Sequence, residues 1–305
     1  MAVGSDFGPI TEEHRLTYQA NIELAIQQRQ SELEPAFVYH PGMSGRSAKM
    51  LDLVGETSAR INPPRGGDTP DIQGNYEQTW MSPVCIDWGR VIELEDDIKA
   101  AISFQSTAVQ AGAAAIVRGR DQIRANAIFG DRKTGQDGTE TTTWDPTNKN
   151  VPTTVGSPTA VPTGMNVKKI LRAFRLLEQM KVKLNEHELY CLVDPIEMEE
   201  LYGDITFVSK DYRSKAVIEE KRVMSILGVT LLPTTYVPDL DATTSRAVLC
   251  AKGALHEGEF YPVTTKIEPN PAKRYRPHPY IETWMGATRG EDKMMIEIRN
   301  LIPTP

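Results

Sequence analysis

Apolar and polar positions alternate between Val84 and Glu95, with Val84, Ile86, Trp88, Ile92 and Leu94 on one face and Cys85, Asp87, Glu93 and Glu95 on the other. A period of two predicts a strand with one covered face. A second extended segment begins at Lys49, and the stretch between them holds Pro63-Pro64-Arg65-Gly66-Gly67-Asp68-Thr69-Pro70, with Gly74 beyond. That density of turn formers makes 49–94 read as one long hairpin. Upstream, Leu16, Ala20, Ile22, Ala25 and Ile26 recur among Glu and Gln, which predicts a short amphipathic helix within 10–33. Pro35, Pro41, Gly42 and Gly45 then predict an irregular extended connector, so the N-terminus reads as an arm.

The longest helical stretch begins at Glu95, Asp96 and Asp97, crosses an alanine-rich middle (Ala108 to Ala115) and stops at Gly130. About 33 residues at a rise of about 1.5 Å give a rod near 50 Å. Its small residues, among them Ala111, Gly112, Ala113 and Gly119, allow neighbouring backbone to approach closely. From Asp131 to Thr163 the chain is rich in Thr, Gly, Asn and Pro, and Trp144 is its only large aromatic. It reads as a long loop with room for short strands, and loops of such length tend to be functional or interfacial, so this one is expected against a neighbouring subunit.

The second half is mixed. A helix over Val167 to Met180 directs Val167, Ile170, Leu171, Phe174 and Leu177 inward and Lys168, Lys169, Arg172 and Arg175 outward. A strand over Leu189 to Val193 leads to Asp194-Pro195, an N-cap and N1 pair for a short acidic helix. A further helix spans about Asp211 to Leu227 and ends at Gly228, followed by strands at Val229 to Leu232, Arg246 to Ala251, Thr264 to Glu268, Tyr280 to Met285 and Met294 to Ile298. The fold class is α+β.

Composition narrows the function. The chain of 305 residues is 40% hydrophobic and 25% charged, that of an ordinary globular protein. No apolar run approaches the roughly 18 residues that cross a bilayer, and no leader pattern precedes the arm, so cytoplasmic synthesis is expected. Cys85, Cys191 and Cys250 are scattered without metal or disulfide spacing and read as buried small apolar groups. A net charge of −7 argues against gripping nucleic acid. His14, His40, His187, His256 and His278 lack metal-ligand spacing, and no nucleophile elbow, Walker loop or dinucleotide fingerprint occurs, so neither an enzyme nor a cofactor is expected. Asp239 and Asp241 could hold a divalent cation, but a solvated turn is the simpler reading. The basic face of Lys168, Lys169, Arg172 and Arg175 could touch DNA, but a solvated face is again simpler.

Arm, hairpin, long helix and mixed domain with returning strands occur in the order that resembles the major capsid protein of tailed bacteriophages, the Hong Kong 97 type. Two local stretches sharpen the likeness: Ser209-Lys210-Asp211-Tyr212 leading to Met224-Ser225-Ile226-Leu227-Gly228-Val229, and Gly286-Ala287-Thr288-Arg289-Gly290-Glu291-Asp292. The resemblance implies an N-terminal arm over 1–48, an E-loop hairpin over 49–94, a P-domain with spine helix and long loop over 95–164, mainly A-domain over 165–262, and return strands of the P-domain over 263–305. It further implies hexamers and pentamers closing into an icosahedral virion shell around double-stranded DNA, assembled in the host bacterial cytoplasm. The implied partners are other copies of the chain, a separate scaffolding protein and a portal protein, with no membrane.

Some relatives lock the shell by an isopeptide bond from an E-loop lysine, but here no lysine lies between Lys49 and Lys99. The shell is therefore expected to be held non-covalently or by cement protein. The arm is expected to escape maturation cleavage. Intersubunit contacts are expected at Pro63, Pro64, Arg65, Asp68 and Trp80 of the hairpin, at Leu16 and Ile22 of the arm, and at Trp144 of the long loop. An encapsulin-like compartment around a cargo enzyme shares the fold and is the rival reading; a soluble hydrolase is a distant third.

Overall fold

A computed structural model describes residues 30–55, 57–62, 65, 72, 74, 76–91, 104–203 and 225–303. The chain divides into two compact units, one drawn from Met1–Ser31, Cys85–Arg120 and Tyr261–Trp284 and the other from Glu32–Val84, Asp121–Phe260 and Met285–Pro305. In chain order the strands are β1 (Phe37–His40), β2 (Ala48–Val54), β3 (Tyr76–Met81), β4 (Val84–Gly89), β5 (Arg132–Thr134), β6 (Glu140–Thr142), β7 (Asn150–Val151), β8 (Leu189–Val193), β9 (Ser225–Ile226), β10 (Val229–Pro233), β11 (Thr244–Ala251), β12 (Leu255–Asn270), β13 (Arg276–Arg289) and β14 (Met295–Leu301). The helices are α1 (Phe104–Phe129), α2 (Val167–Gln179) and α3 (Pro195–Gly203).

The larger unit is built on a six-stranded sheet in the order β7-β14-β11-β8-β10-β9. Its central strands are apolar on both faces, as expected where a sheet is covered twice. Leu189, Cys191 and Val193 of β8, with Val229, Leu231, Leu249 and Ile296, face a cluster completed by Ile170, Ala173 and Leu177 of α2 and Leu201 of α3. The alternate residues Leu192, Val248, Cys250 and Met295 face a second cluster with Ala125 and Ile128 at the end of α1 and with Leu33 and Phe37. Each fully buried large aliphatic chain contributes about 1.5–3 kcal/mol. Asn166 caps α2, its Oδ1 accepting from Lys169 N at 3.0 Å. Asp194 caps α3 as its sequence predicts: Oδ1 accepts from Ile196 N at 3.0 Å, while Glu197 Oε2 reaches back to Asp194 N at 2.9 Å.

In the smaller unit α1 lies close to β4 because two glycines leave room. A Cβ on Gly112 would stand 2.4 Å from the Trp88 ring, and one on Gly119 would stand 2.9 Å from Ile86 Cγ2. What approaches these glycines is side chains, chiefly of β4, and not the backbone expected from their small size. Of the predicted helix, residues 95–103 lie outside those described.

Several expectations change. The connector at 34–46 contains a real strand, because the aromatic and β-branched run Phe37-Val38-Tyr39-His40 pairs in parallel with Leu255 to Gly258 of β12. The hairpin exists, but its return strand is β3, paired with β2 from Ala48↔Met81 to Val54↔Tyr76. The chain breaks at Ser82-Pro83, and β4 joins β13 in a different sheet, ordered β1-β12-β13-β4. The alternation read at 84–95 survives at Ile86 and Trp88, which are half-buried, while Val84 is exposed. The helix expected to end at Gly228 does not reach it. Ser225–Ile226 pairs with β10 across a two-residue turn, Leu227 and Gly228, both at positive φ, the geometry of a tight hairpin. Residues 204–224 lie outside those described. Cys191 and Cys250 are buried as expected, whereas Cys85 is exposed.

Candidate functional site

The most exposed large apolar side chains among the described residues of the larger unit are on the β2–β3 ribbon and the stretch that joins its strands. Val54 and Tyr76, directly opposite in register, are 62% and 71% exposed, and Ile61 beyond them is 90% exposed. A two-stranded ribbon is marginal in water alone, so its base must be fastened. Two side chains do this. Trp80 donates from Nε1 to Gly135 O at 2.7 Å, and its ring lies where a Cβ on Gly138 would be, 2.8 Å away. Gly138, at positive φ, admits the ring and the turn together. Arg132 of β5, buried, pairs with Glu77 of β3 and donates to Thr79 Oγ1 at 3.4 Å and Gly290 O at 2.5 Å. The sheet β2-β3-β5-β6 thus extends the ribbon from the long loop of 131–163.

A cavity of about 600 Å³ opens beside this base, bounded by Val54 and Glu77 of the ribbon, Lys181 and Glu186 of the turn after α2, and Glu291 and Lys293. Its charges are mixed in sign, so it favours neither an anion nor a cation.

Buried charged groups in the same unit are paired. Arg124 of α1, 1% exposed, pairs with Asp121 at 2.8 Å and with Glu257 of β12 at 2.5 Å. These carboxylates hold the guanidinium above its usual range against the opposing effect of burial. Arg289 pairs with Asp292 at 3.1 Å and donates to Ile128 O and Gly130 O. His40 and His256 stand with ring nitrogens 3.2 Å apart, and burial, reinforced by the neighbouring His40, pulls His256 down to about 4.

Of the residues expected at intersubunit contacts, Arg65 is exposed in the turn region. Pro63, Pro64, Asp68, Leu16 and Ile22 lie outside the described residues. Trp80 and Trp144 are half-buried and engaged within their own chain: Trp144 Nε1 donates to Glu297 at 3.1 Å, its ring meets Phe129 edge-on, and Arg289 lies over it at 5.4 Å. Val54 and Tyr76 were missed, although alternation along β2 and β3 would have flagged two apolar residues bordering a turn-rich stretch. The expected basic face of α2 is not uniform, because Lys169 is fully buried while Leu171 is exposed. Asp241 caps a turn, accepting from Thr243 N and Oγ1, which matches the solvated-turn reading. Among the described residues no group of three or more His, Cys, Asp or Glu side chains could hold a metal, and no helix is long and apolar enough to cross a membrane.

A sequence-family model described as phage capsid protein matches residues 10–302. The chain belongs to the phage capsid protein family. It is similar in fold to the capsid of Ralstonia phage GP4, at 14% identity and a TM-score of 0.69, covering 93% of this chain and 94% of that one. The cyanophage Pam1 capsid aligns at 11% identity, TM-score 0.68, over 92% and 94%. That of Helicobacter pylori bacteriophage KHP30 aligns at 10% identity, TM-score 0.67, over 99% and 100%. No curated protein sequence matches. The fold of this capsid protein is α+β of the Hong Kong 97 type, its role is structural and non-enzymatic, and its place is the virion shell.

Proposed function

We propose that this capsid protein forms hexamers and pentamers that close into an icosahedral shell around double-stranded DNA, with no lysine crosslink from its ribbon. The observation that carries the reading is the β2–β3 ribbon, fastened at its base by Trp80 and Arg132 while Val54, Tyr76 and Ile61 stand in solvent. Exposed apolar groups on a marginal ribbon favour a ribbon laid on a neighbouring copy. The ribbon corresponds to the E-loop assigned to 49–94, and strand pairing favours ending it at Met81. Residues 1–48 act as a strap entering the body at β1, 95–164 supply the spine helix and long loop of the P-domain, 165–262 the A-domain, and 263–305 its return strands.

Arg65 at the turn would pair with a neighbour's carboxylate, an exposed contact worth about 0–1 kcal/mol that repetition makes sufficient. Trp144 sits in the loop expected to border the next subunit. A separate scaffolding protein and a portal complete assembly in the bacterial cytoplasm, with cement protein as the alternative to purely non-covalent closure. The acidic chain, with a net charge of −7, encloses DNA without binding it in a sequence-specific way.

Electron microscopy of purified particles combined with nuclease protection tests the reading. Closed shells holding long protected DNA, which dissolve to single subunits when boiled in detergent, are expected. Shells holding a protein cargo would move the chain to an encapsulin-like compartment, a reading the phage family assignment does not favour. A ladder of covalent oligomers would refute the absence of crosslinking.

A further inference from the structure

Three buried polar side chains from three elements of the larger unit meet at a point that the proposed assembly does not use. Lys169 of α2 and Asn300 of β14 are 0% exposed, and Glu197 of α3 is 1% exposed. Lys169 Nζ lies 2.9 Å from Asn300 Oδ1 and 2.8 Å from each of two backbone carbonyls, Thr163 O and Arg299 O. Asn300 Nδ2 rests on Glu197 Oε1 at 2.6 Å. The same oxygen accepts from Ser245 Oγ at 2.7 Å, and Oε2 is held by the α3 cap. A lysine amine therefore touches a carboxamide whose nitrogen touches a carboxyl group, away from water.

These are the parts needed to exchange one amide for another. A backbone carbonyl can only accept, and a neutral amine offers two protons and one lone pair. Nζ donates to all three acceptors, Thr163 O, Arg299 O and Asn300 Oδ1, and it is loss of the proton on Oδ1 that leaves the lone pair of the neutral amine on the Asn300 side. Burial pulls Lys169 down to about 8 against the opposing effect of Glu200 and Glu197, so a neutral fraction exists near neutral pH. Burial also raises Glu197, outweighing the hydrogen bonds that lower it, and favours its protonated form.

We propose that Lys169 and Asn300 join in an isopeptide bond within the chain, with Glu197 as the catalytic acid. Nζ attacks Asn300 Cγ and forms the new carbon–nitrogen bond. Glu197 gives its proton to Nδ2, the Cγ–Nδ2 bond breaks, and ammonia leaves. The proton shed by Nζ restores the Glu197 carboxyl, so nothing is oxidised or reduced and no other reactant is consumed. The bond ties α2 to β14 across a separation of 131 residues and staples the helix to the central sheet. It lies within one subunit, and it does not depend on the proposed shell.

Intact mass and tryptic mapping of the purified full chain test this directly. The expected result is a chain lighter by one ammonia, with no cleavage after Lys169 and a branched peptide joining Lys169 to Asn300. Glu197→Gln is expected to restore the full mass and the cleavage. A wild-type chain cleaved after Lys169 overturns the proposal, as does an ammonia loss mapped to any other residue. Because the wild-type measurement decides by itself, a variant that fails to fold leaves the test intact.

Discussion

Replacing Arg124 by Met would keep a long unbranched side chain in place while removing the guanidinium that pairs with both Asp121 and Glu257. Both carboxylates are buried, at 0% and 2% exposure, and Arg124 lies 2.8 and 2.5 Å from them. Asp121 also accepts from Glu32 N at 3.0 Å. Breaking a buried pair by removing one partner costs about 3–5 kcal/mol, because the remaining charge is left uncompensated. Here the loss should fall within that range, since one guanidinium serves two buried carboxylates. Adding Glu257→Leu to R124M removes one of them and should recover a large part of the loss, a strongly non-additive pair. Urea denaturation of the dissociated subunit, followed by tryptophan fluorescence, gives both midpoints. A loss under about 1 kcal/mol for R124M, as for an exposed ion pair, would refute the reasoning, as would a double variant no better than the single.

Other predictions follow the same logic. Gly112→Leu forces a side chain into the Trp88 ring and should cost about 1–3 kcal/mol or more, whereas Gly203→Ala, with nothing within 4 Å of the added Cβ, should be neutral or stabilising; thermal melts compare them. His256, held near about 4 when folded against an ordinary value of 6.5, binds a proton more readily when unfolded, so its contribution is intact above about pH 6.5 and is lost as pH falls toward about 4. A drop of about 3 kcal/mol across that window is expected, and His256→Gln should flatten it in urea midpoints measured against pH. Tyr76→Lys, at a site 71% exposed, should change subunit stability by no more than about 0.5 kcal/mol yet block shell closure as seen by electron microscopy.

Elements whose pattern is local were legible in the sequence. The strand Leu189–Val193 and the Asp194-Pro195 cap sit as read, because a short apolar run holding Tyr190 and Val193 and ending at a cap residue specifies itself. Pairing was less legible, since it is set by distant chain. Nothing near Phe37 announces that Leu255 will lie beside it, and nothing near Val84 says that β4 leaves the hairpin. Lys169 shows the same limit at the level of a side chain. Charge placed it outside, but residues 169, 173 and 176 share one helix face, and Ala173 and Leu176 are buried. The acceptors that make its burial tolerable come from Thr163 and from residues 299 and 300, more than a hundred positions away. Of the candidate contacts, the turn-rich tip was visible in composition, while exposure of Val54 and Tyr76 depended on knowing which residues face each other across the ribbon.

The four rungs joining Phe37 through His40 to Leu255 through Gly258 run in parallel. A pull on the residues before Phe37, directed along the strand, loads all four rungs at once instead of opening them singly. Phe37, buried at the loaded end, resists the first displacement. Tension directed along that strand must shear the four rungs together and cannot peel them one by one, so a short segment can carry a force that a longer but unzipped one could not.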